Sequence, residues 1–258
     1  VFVRHKSLTA LSNGKLVIDG ISFDANGVIF DAINTALASG EYTFPFDLTG
    51  NAGASNGYGK TGINHGGYTL DGNGCTLKGN NAGATWDSAL ATTGGTIKNL
   101  TVAKGFRGIF VKNGTERVIL ENVTIDGPVY TISCDQAGNQ GLSAYNSTFN
   151  GWTSYAATIG KVTFTNCEFG KGAGYAFCRP YAPTVFTNCN FAAGYEIDPR
   201  ASVVFENCTI NGVALTEANY AELVKSNAGN GAIAVSVDST DAGQATLKET
   251  LSEGGNVI

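Results

Sequence analysis

One asparagine recurs through the middle of the chain in a constant setting: TIKNLTV, ILENVTI, SAYNSTF, TFTNCEF, VFTNCNF and VFENCTI. Asn99, Asn122, Asn146, Asn166, Asn188 and Asn207 follow one another at intervals of 23, 24, 20, 22 and 19 residues. Apolar residues alternate on both sides of each Asn, which is the period of a strand and not of a helix. Two residues before it stand Ile97, Leu120, Ala144, Phe164, Phe186 and Phe205; one after it stand Leu100, Val123, Ser147, Cys167, Cys189 and Cys208. Three after it stand Val102, Ile125, Phe149, Phe169, Phe191 and Ile210. A single unit cannot bury these side chains. Units stacked one strand-spacing apart bury all of them in continuous columns. Thr101, Thr124, Thr148, Glu168, Asn190 and Thr209 then form an outward column.

A third short strand follows each Gly-rich stretch: FRGIF from Phe106, VYTISC from Val129, YAATI from Tyr155, YAFC from Tyr175 and YEID from Tyr195. Three short strands per turn of roughly twenty residues is the arithmetic of a parallel β-helix. The Asn marks a sharp bend, and its amide bonds to the Asn above and below, so an internal Asn ladder is expected. The pattern resembles the right-handed parallel β-helix of the pectate-lyase-like superfamily, over roughly residues 67 to 212. That resemblance implies an all-β fold of about seven turns. It does not imply one activity, because the scaffold carries lyases, hydrolases, phage fibre parts and surface adhesins.

The expected organisation has three parts. Residues 1–66 form a lead-in region with a loop and a capping helix at 27–39, where Ile29, Ile33 and Leu37 share a face and Gly40 is the stop. Residues 67–212 form the coils. Residues 213–258 form a C-terminal segment, with a helix over 216–226 that has Thr216 as its N-cap, a strand in AIAVSVD and a second helical pattern. The tail QATLKETLSEGGNVI reads either as a small C-terminal cap or as the start of another β-helix, with Leu251, Val257 and Ile258 then available to a neighbouring module or an identical subunit.

Charged residues are only 14% of the chain against roughly 25% in an average domain, and the net charge is −5. A nucleic-acid partner is not expected from that balance, nor is membrane insertion, since no apolar run is long enough to span a bilayer. The first residues, Val-Phe-Val-Arg, lack the pattern of a signal peptide and suggest a processed or excised segment. The six cysteines contain no C-x-x-C pair and there are two histidines, so neither a zinc site nor a cofactor is expected. Cys167, Cys189 and Cys208 share an inward column and read as free, buried thiols.

Several motifs fail on context. Ala54 to Thr61 approximates a phosphate loop, but Gly62-Ile-Asn-His-Gly-Gly cannot start the helix that phosphate binding needs. Gly53-Ala-Ser55-Asn-Gly57 matches a nucleophile elbow with no helix behind it. Asn99, Asn122, Asn146 and Asn207 lie in glycosylation sequons, but a ladder inside the coil places them out of reach and leaves Asn113 as the accessible one.

Glu196 and Asp198, with Arg179 and Arg200, are the residues a catalytic reading would use. Paired acids serve glycoside hydrolysis, and an acid beside Arg serves proton abstraction in a lyase. Taking Ala176, Ala156 and Thr131 as the residues beneath Glu196, and Cys178, Thr158 and Ser133 as those beneath Asp198, no multi-acid cluster is expected. Tyr130, Tyr155, Tyr175 and Tyr195, with Phe106 below, are expected to stack inward, or, if the register slips by one, to form an outward sugar-stacking stripe; Trp86, Trp152 and Tyr181, in loops, are the more exposed candidates for a ligand face. These readings lead to an extracellular, non-catalytic structural or attachment module, of a cell surface, filament or virion. Its expected partners are a neighbouring subunit and a polysaccharide; the alternative is a polysaccharide lyase or glycoside hydrolase.

Overall fold

Residues alternating in and out around a fixed bend leave little choice but to stack. In the computed structural model, residues 61–79, 87–154, 159–227 and 229–236 are described in full, Tyr155 by its backbone alone, and before them the backbone of five short strands. The chain winds as a parallel β-solenoid of about six turns, and among the described residues helix is confined to one short 3-10 turn.

The first sheet runs in order from Tyr42–Thr43 through Thr69–Asp71, the first half of Gly95–Ala103, the start of Val118–Gln136, Leu142–Tyr145, Val162–Thr165, Thr184–Thr187 and Val203–Glu206 to Ile233–Ser236, each parallel to the next. The second stacks Leu48–Thr49, Thr76–Lys78, the segments around Thr101 and Thr124, the start of Thr148–Tyr155, Glu168–Gly170, Asn190–Phe191 and Thr209–Ile210. The third stacks Thr61–His65, Ser88–Thr92, Arg107–Lys112, the segment from Tyr130, the segment from Trp152, Phe177–Arg179 and Glu196–Ile197. The count of about six is below the expected seven, and the last unit, Val203–Glu206 with Thr209–Ile210, has no third strand among the described residues. After Thr209–Ile210 the chain folds back antiparallel at Val213–Ala214.

The core is aromatic where the coil is most regular. Phe164, Phe186 and Phe205 stack nearly parallel at 5.2 Å, and Phe149, Phe169 and Phe191 stack at 5.4 and 5.0 Å in the facing sheet. The two stacks meet edge to face, as in Phe169–Phe186 at 80°, so each ring satisfies the quadrupole of its neighbours. Cys167, Cys189 and Cys208 fill the column beside them as free thiols whose Sγ–H groups point at carbonyls, Cys208 to Phe186 at 3.4 Å.

The Asn ladder exists, but on the outside. Asn122 bonds to Asn99, Asn166 to Asn146, Asn188 to Asn166 and Asn207 to Asn188, at 2.8 to 3.2 Å. All six have φ between 49 and 54°, the left-handed region that Asn tolerates better than other side chains. A left-handed corner residue throws its side chain outward while its neighbours turn in. The amides from Asn122 onward are therefore exposed, and the inner column belongs to the residues that flank them. The ladder ends below on Asp71, whose Oδ1 accepts from Asn99 Nδ2 at 3.1 Å. The sequon amides are thus not enclosed by the coil; what occupies them is the ladder itself.

Both expected caps need correction or fall outside view. Residues 27–39 and 237–258, including Leu251, Val257 and Ile258, lie outside the described residues, as does Trp86. Over 216–226 the only helix is a 3-10 turn at Tyr220–Glu222. Thr216 is not its N-cap: its N–H and hydroxyl both donate to Asn219 Oδ1. Leu215, Leu223 and Val224 are buried under this excursion, and the Leu223 carbonyl accepts from Ile197 N–H at 2.9 Å, closing the third sheet. The AIAVSVD segment continues the first sheet at Ile233–Ser236. Ahead of the coils, Leu8–Ala10, Lys15–Ile18 and Ile21–Asp24 form an antiparallel meander.

Candidate functional site

The third sheet differs from the other two. Its register shifts between Tyr130 and Ile132 and again between Phe110 and Lys112, and the loops leading into it differ in length from turn to turn. In consequence Trp152, not Tyr155, stands opposite Tyr130, and Phe177 stands opposite Trp152. Trp152 is therefore a strand residue and not a loop residue. Beneath Glu196 lie Phe177, Trp152 and Tyr130 in place of the alanines and threonine that sequence alignment put there.

This produces an aromatic strip up the outer face. Phe106 and Tyr130 have ring centroids 5.4 Å apart, Tyr130 and Trp152 4.9 Å, Trp152 and Phe177 5.3 Å. Tyr175 leans on Trp152 at 5.4 Å and is 41% exposed. Tyr130 and Trp152 are tilted by 33°, whereas Phe177 meets Trp152 at 88°, so the strip offers a mixture of ring faces and edges. The inward stack expected for the tyrosines holds only for Tyr195, which is 1% exposed. Tyr130 is half-buried, Tyr175 points out, and the side chain of Tyr155 lies outside the described set. Burial, and then the Asp135 carboxylate, push the Tyr130 phenol up, so it stays a neutral hydrogen-bonding group.

Charged groups flank the strip in closed pairs. The Arg179 guanidinium lies 5.5 Å from the Trp152 ring and 5.2 Å from the Phe177 ring, a cation–π contact with both. Its Nε is 3.5 Å from Asp198 Oδ2, which also accepts from Arg200 Nη2 at 2.7 Å. Burial alone would raise the Asp198 carboxyl, but the hydrogen bonds from Arg200 and Ser226 and the charges of Arg200 and Arg179 outweigh it and hold it below the usual range. Asp198 is therefore ionised at neutral pH and is not a proton donor. Glu196 is exposed on the next strand position of the same face. Lower down, Arg107 is 1% exposed and donates to Asp135 Oδ2 at 3.0 Å, while Ser133 donates to the same oxygen at 2.7 Å.

The structure thus brings Trp152, Arg179, Asp198 and Arg200 together, with Glu196 above Phe177 and Tyr181 exposed two residues beyond Arg179. The lower end of the face is closed, since Thr61, Ser88 and Arg107 are buried, and it opens from Tyr130 upward. Phe106, Tyr130 and Tyr175 reach the surface as the slipped register allowed, and Phe177 was missed as a surface residue. The signal for them was the Gly151-Trp152 pair, which shortens the turn before the third strand and moves the register by three residues. Among the described residues no cluster of His, Cys, Asp and Glu is suited to a metal ion. No known protein family matches the chain significantly, and neither does any curated protein or solved structure.

Proposed function

We propose that the chain is a non-catalytic attachment module of an extracellular surface or virion, which engages a glycan along the outer face of its third sheet. The observation that carries this reading is the strip Phe106, Tyr130, Trp152 and Phe177, with Tyr175 exposed beside it. Aromatic rings with one apolar face and a polar rim suit sugars, which have apolar C–H faces and hydroxyl edges. Strands in a sheet repeat at roughly 4.8 Å, close to the length of one pyranose unit, so a linear chain laid along the coil axis meets one ring per turn. The arginines beside the strip are already paired within the protein, so the ligand this face suits best is an uncharged polysaccharide. Low charge and sheets of parallel strands hydrogen-bonded from turn to turn suit a durable rod. Self-association through Leu251, Val257 and Ile258 belongs to the same proposal.

Affinity electrophoresis against neutral and acidic polysaccharides tests it. Retardation by a neutral glycan, lost in Trp152→Ala and Tyr175→Ala with the melting temperature within a few degrees of the parent, is the expected result. Release of reducing or unsaturated oligosaccharides, abolished in Glu196→Gln or Asp198→Asn, would overturn the non-catalytic reading in favour of a hydrolase or lyase.

A further inference from the structure

Beside the aromatic strip stands a guanidinium whose charge is answered within the protein but whose hydrogen bonds are not. Phe177 and Arg179 are two apart on one strand, with Cys178 buried between them, so both side chains leave the coil on its outer face. The Arg179 guanidinium rests against the rings of Trp152 and Phe177, 5.5 and 5.2 Å from their centroids. The nearest carboxylate oxygen, Asp198 Oδ2, lies 3.5 Å from Nε and takes its hydrogen bond from Arg200 instead, at 2.7 Å. The terminal amino groups of Arg179, Nη1 and Nη2, make no hydrogen bond among the described residues, and the side chain is 30% exposed. A planar fork of N–H donors is therefore open to a ligand at the rim of the two upper rings.

We propose that Arg179 is the specificity-determining residue of this face, donating both terminal amino groups to two hydroxyls on adjacent carbons of one sugar, so that the glycan is one whose units keep a vicinal diol. Such a role rests on the strip being a glycan site. A guanidinium binds best to paired oxygens that it meets through two parallel N–H bonds, and a vicinal diol presents such a pair without charge. A carboxylate presents one too. Here, however, Arg179 and Arg200 stand with Asp198 and Glu196, two charges of each sign, and an acidic ligand would upset that balance. A sugar whose C–H face rests on Trp152 and Phe177 carries its ring hydroxyls at its edge, where Arg179 lies. Hexose units linked through O4 or O6 keep O2 and O3 free, whereas units linked through O3 keep no adjacent pair.

The test is affinity electrophoresis of the full chain in amylose, galactomannan and dextran, in a linear O3-linked glucan and in polygalacturonate, with Arg179→Lys run beside the parent. The parent should be retarded by one or more of the first three, about tenfold more strongly than by the O3-linked glucan. Arg179→Lys keeps the charge but not the fork, so it should bind the same glycan about tenfold more weakly and lose the preference. Equal retardation by the O3-linked glucan overturns the role of Arg179 and leaves the strip as a glycan site. So does a preference that survives in Arg179→Lys, or stronger binding of polygalacturonate than of every neutral glycan. No retardation by any of the five overturns the glycan site itself, and the role of Arg179 with it.

Discussion

The corner between the first and second sheets and the corner between the third and first solve one problem in opposite ways. Each must reverse the chain without stranding backbone groups. At the first, every turn from Asn99 to Asn207 spends a single left-handed residue, and its side chain bonds to a neighbouring copy, in one run from Asn99 to Asn122 and a second from Asn146 to Asn207. At the other, loop lengths vary, and each turn has its own device. His65 reaches Thr92 and the Tyr68 carbonyl; Arg117 reaches Ser143 and the carbonyls of Leu142 and Lys161; Gln140 reaches Lys112. A repeated corner is stabilised by many small equal bonds. A variable corner depends on few, larger and separate ones, and leftover polar atoms arise there.

The difference assumes that both corners hang on one core. Phe186 sits parallel between Phe164 and Phe205 and is fully buried, so Phe186→Ala should lower stability by about 3–5 kcal/mol. Urea denaturation measures this, and a loss below about 1 kcal/mol would show that the turns do not share a continuous stack.

Next in size is the variable corner. Arg117→Ala removes three hydrogen bonds that tie neighbouring turns, two of them from Nη2 to carbonyls at 3.0 and 2.9 Å. A loss of about 2 kcal/mol is expected in the same assay. Arg117→Lys should not restore it, because an ammonium cannot reproduce the fork.

The repeated corner should yield less per residue. Asn188→Ala breaks the bonds to Asn166 and Asn207 and puts a less tolerant residue at φ 53°, for about 1–2 kcal/mol. Asn188→Gly keeps the backbone comfortable and should lose only the bond part. Equal losses in the two variants would show that backbone strain plays no part in the preference for Asn.

The smallest effect is a pH dependence. Burial lowers the His65 pKa from its ordinary 6.5, only partly offset by the Tyr68 carbonyl. The folded imidazole is thus neutral where the unfolded one already takes a proton. The stabilising contribution is full above pH 6.5 and declines as the pH falls toward the lowered folded value. Melting temperatures followed downward from neutral should show this decline, and His65→Gln should flatten it. An unchanged slope would place the titrating group elsewhere.

The register of the first and second sheets was legible in the sequence residue by residue. Ile97, Leu120, Ala144, Phe164, Phe186 and Phe205 align as expected, and so do Val102, Ile125, Phe149, Phe169, Phe191 and Ile210. The third sheet was legible as strands but not as a register. Aligning Tyr155 with Tyr130 put the strip inside, whereas Trp152 occupies that place outside. Of the candidate site, Trp152, Tyr181 and the Arg179–Asp198–Arg200 group were readable as residue types; their arrangement was not.

The chain's sequence by itself determined that it coils, which residues form the inner columns of two sheets, and where each turn bends. Those features follow from side chains at constant offsets from one asparagine, and local alternation dictates them. Only the tertiary structure decided that the asparagines face outward, that the third strand shifts to align Trp152 with Tyr130, and that Arg117, His65 and Gln140 serve the variable corner. These depend on left-handed backbone angles and unequal loop lengths, whose effects appear only when one turn is laid against the next.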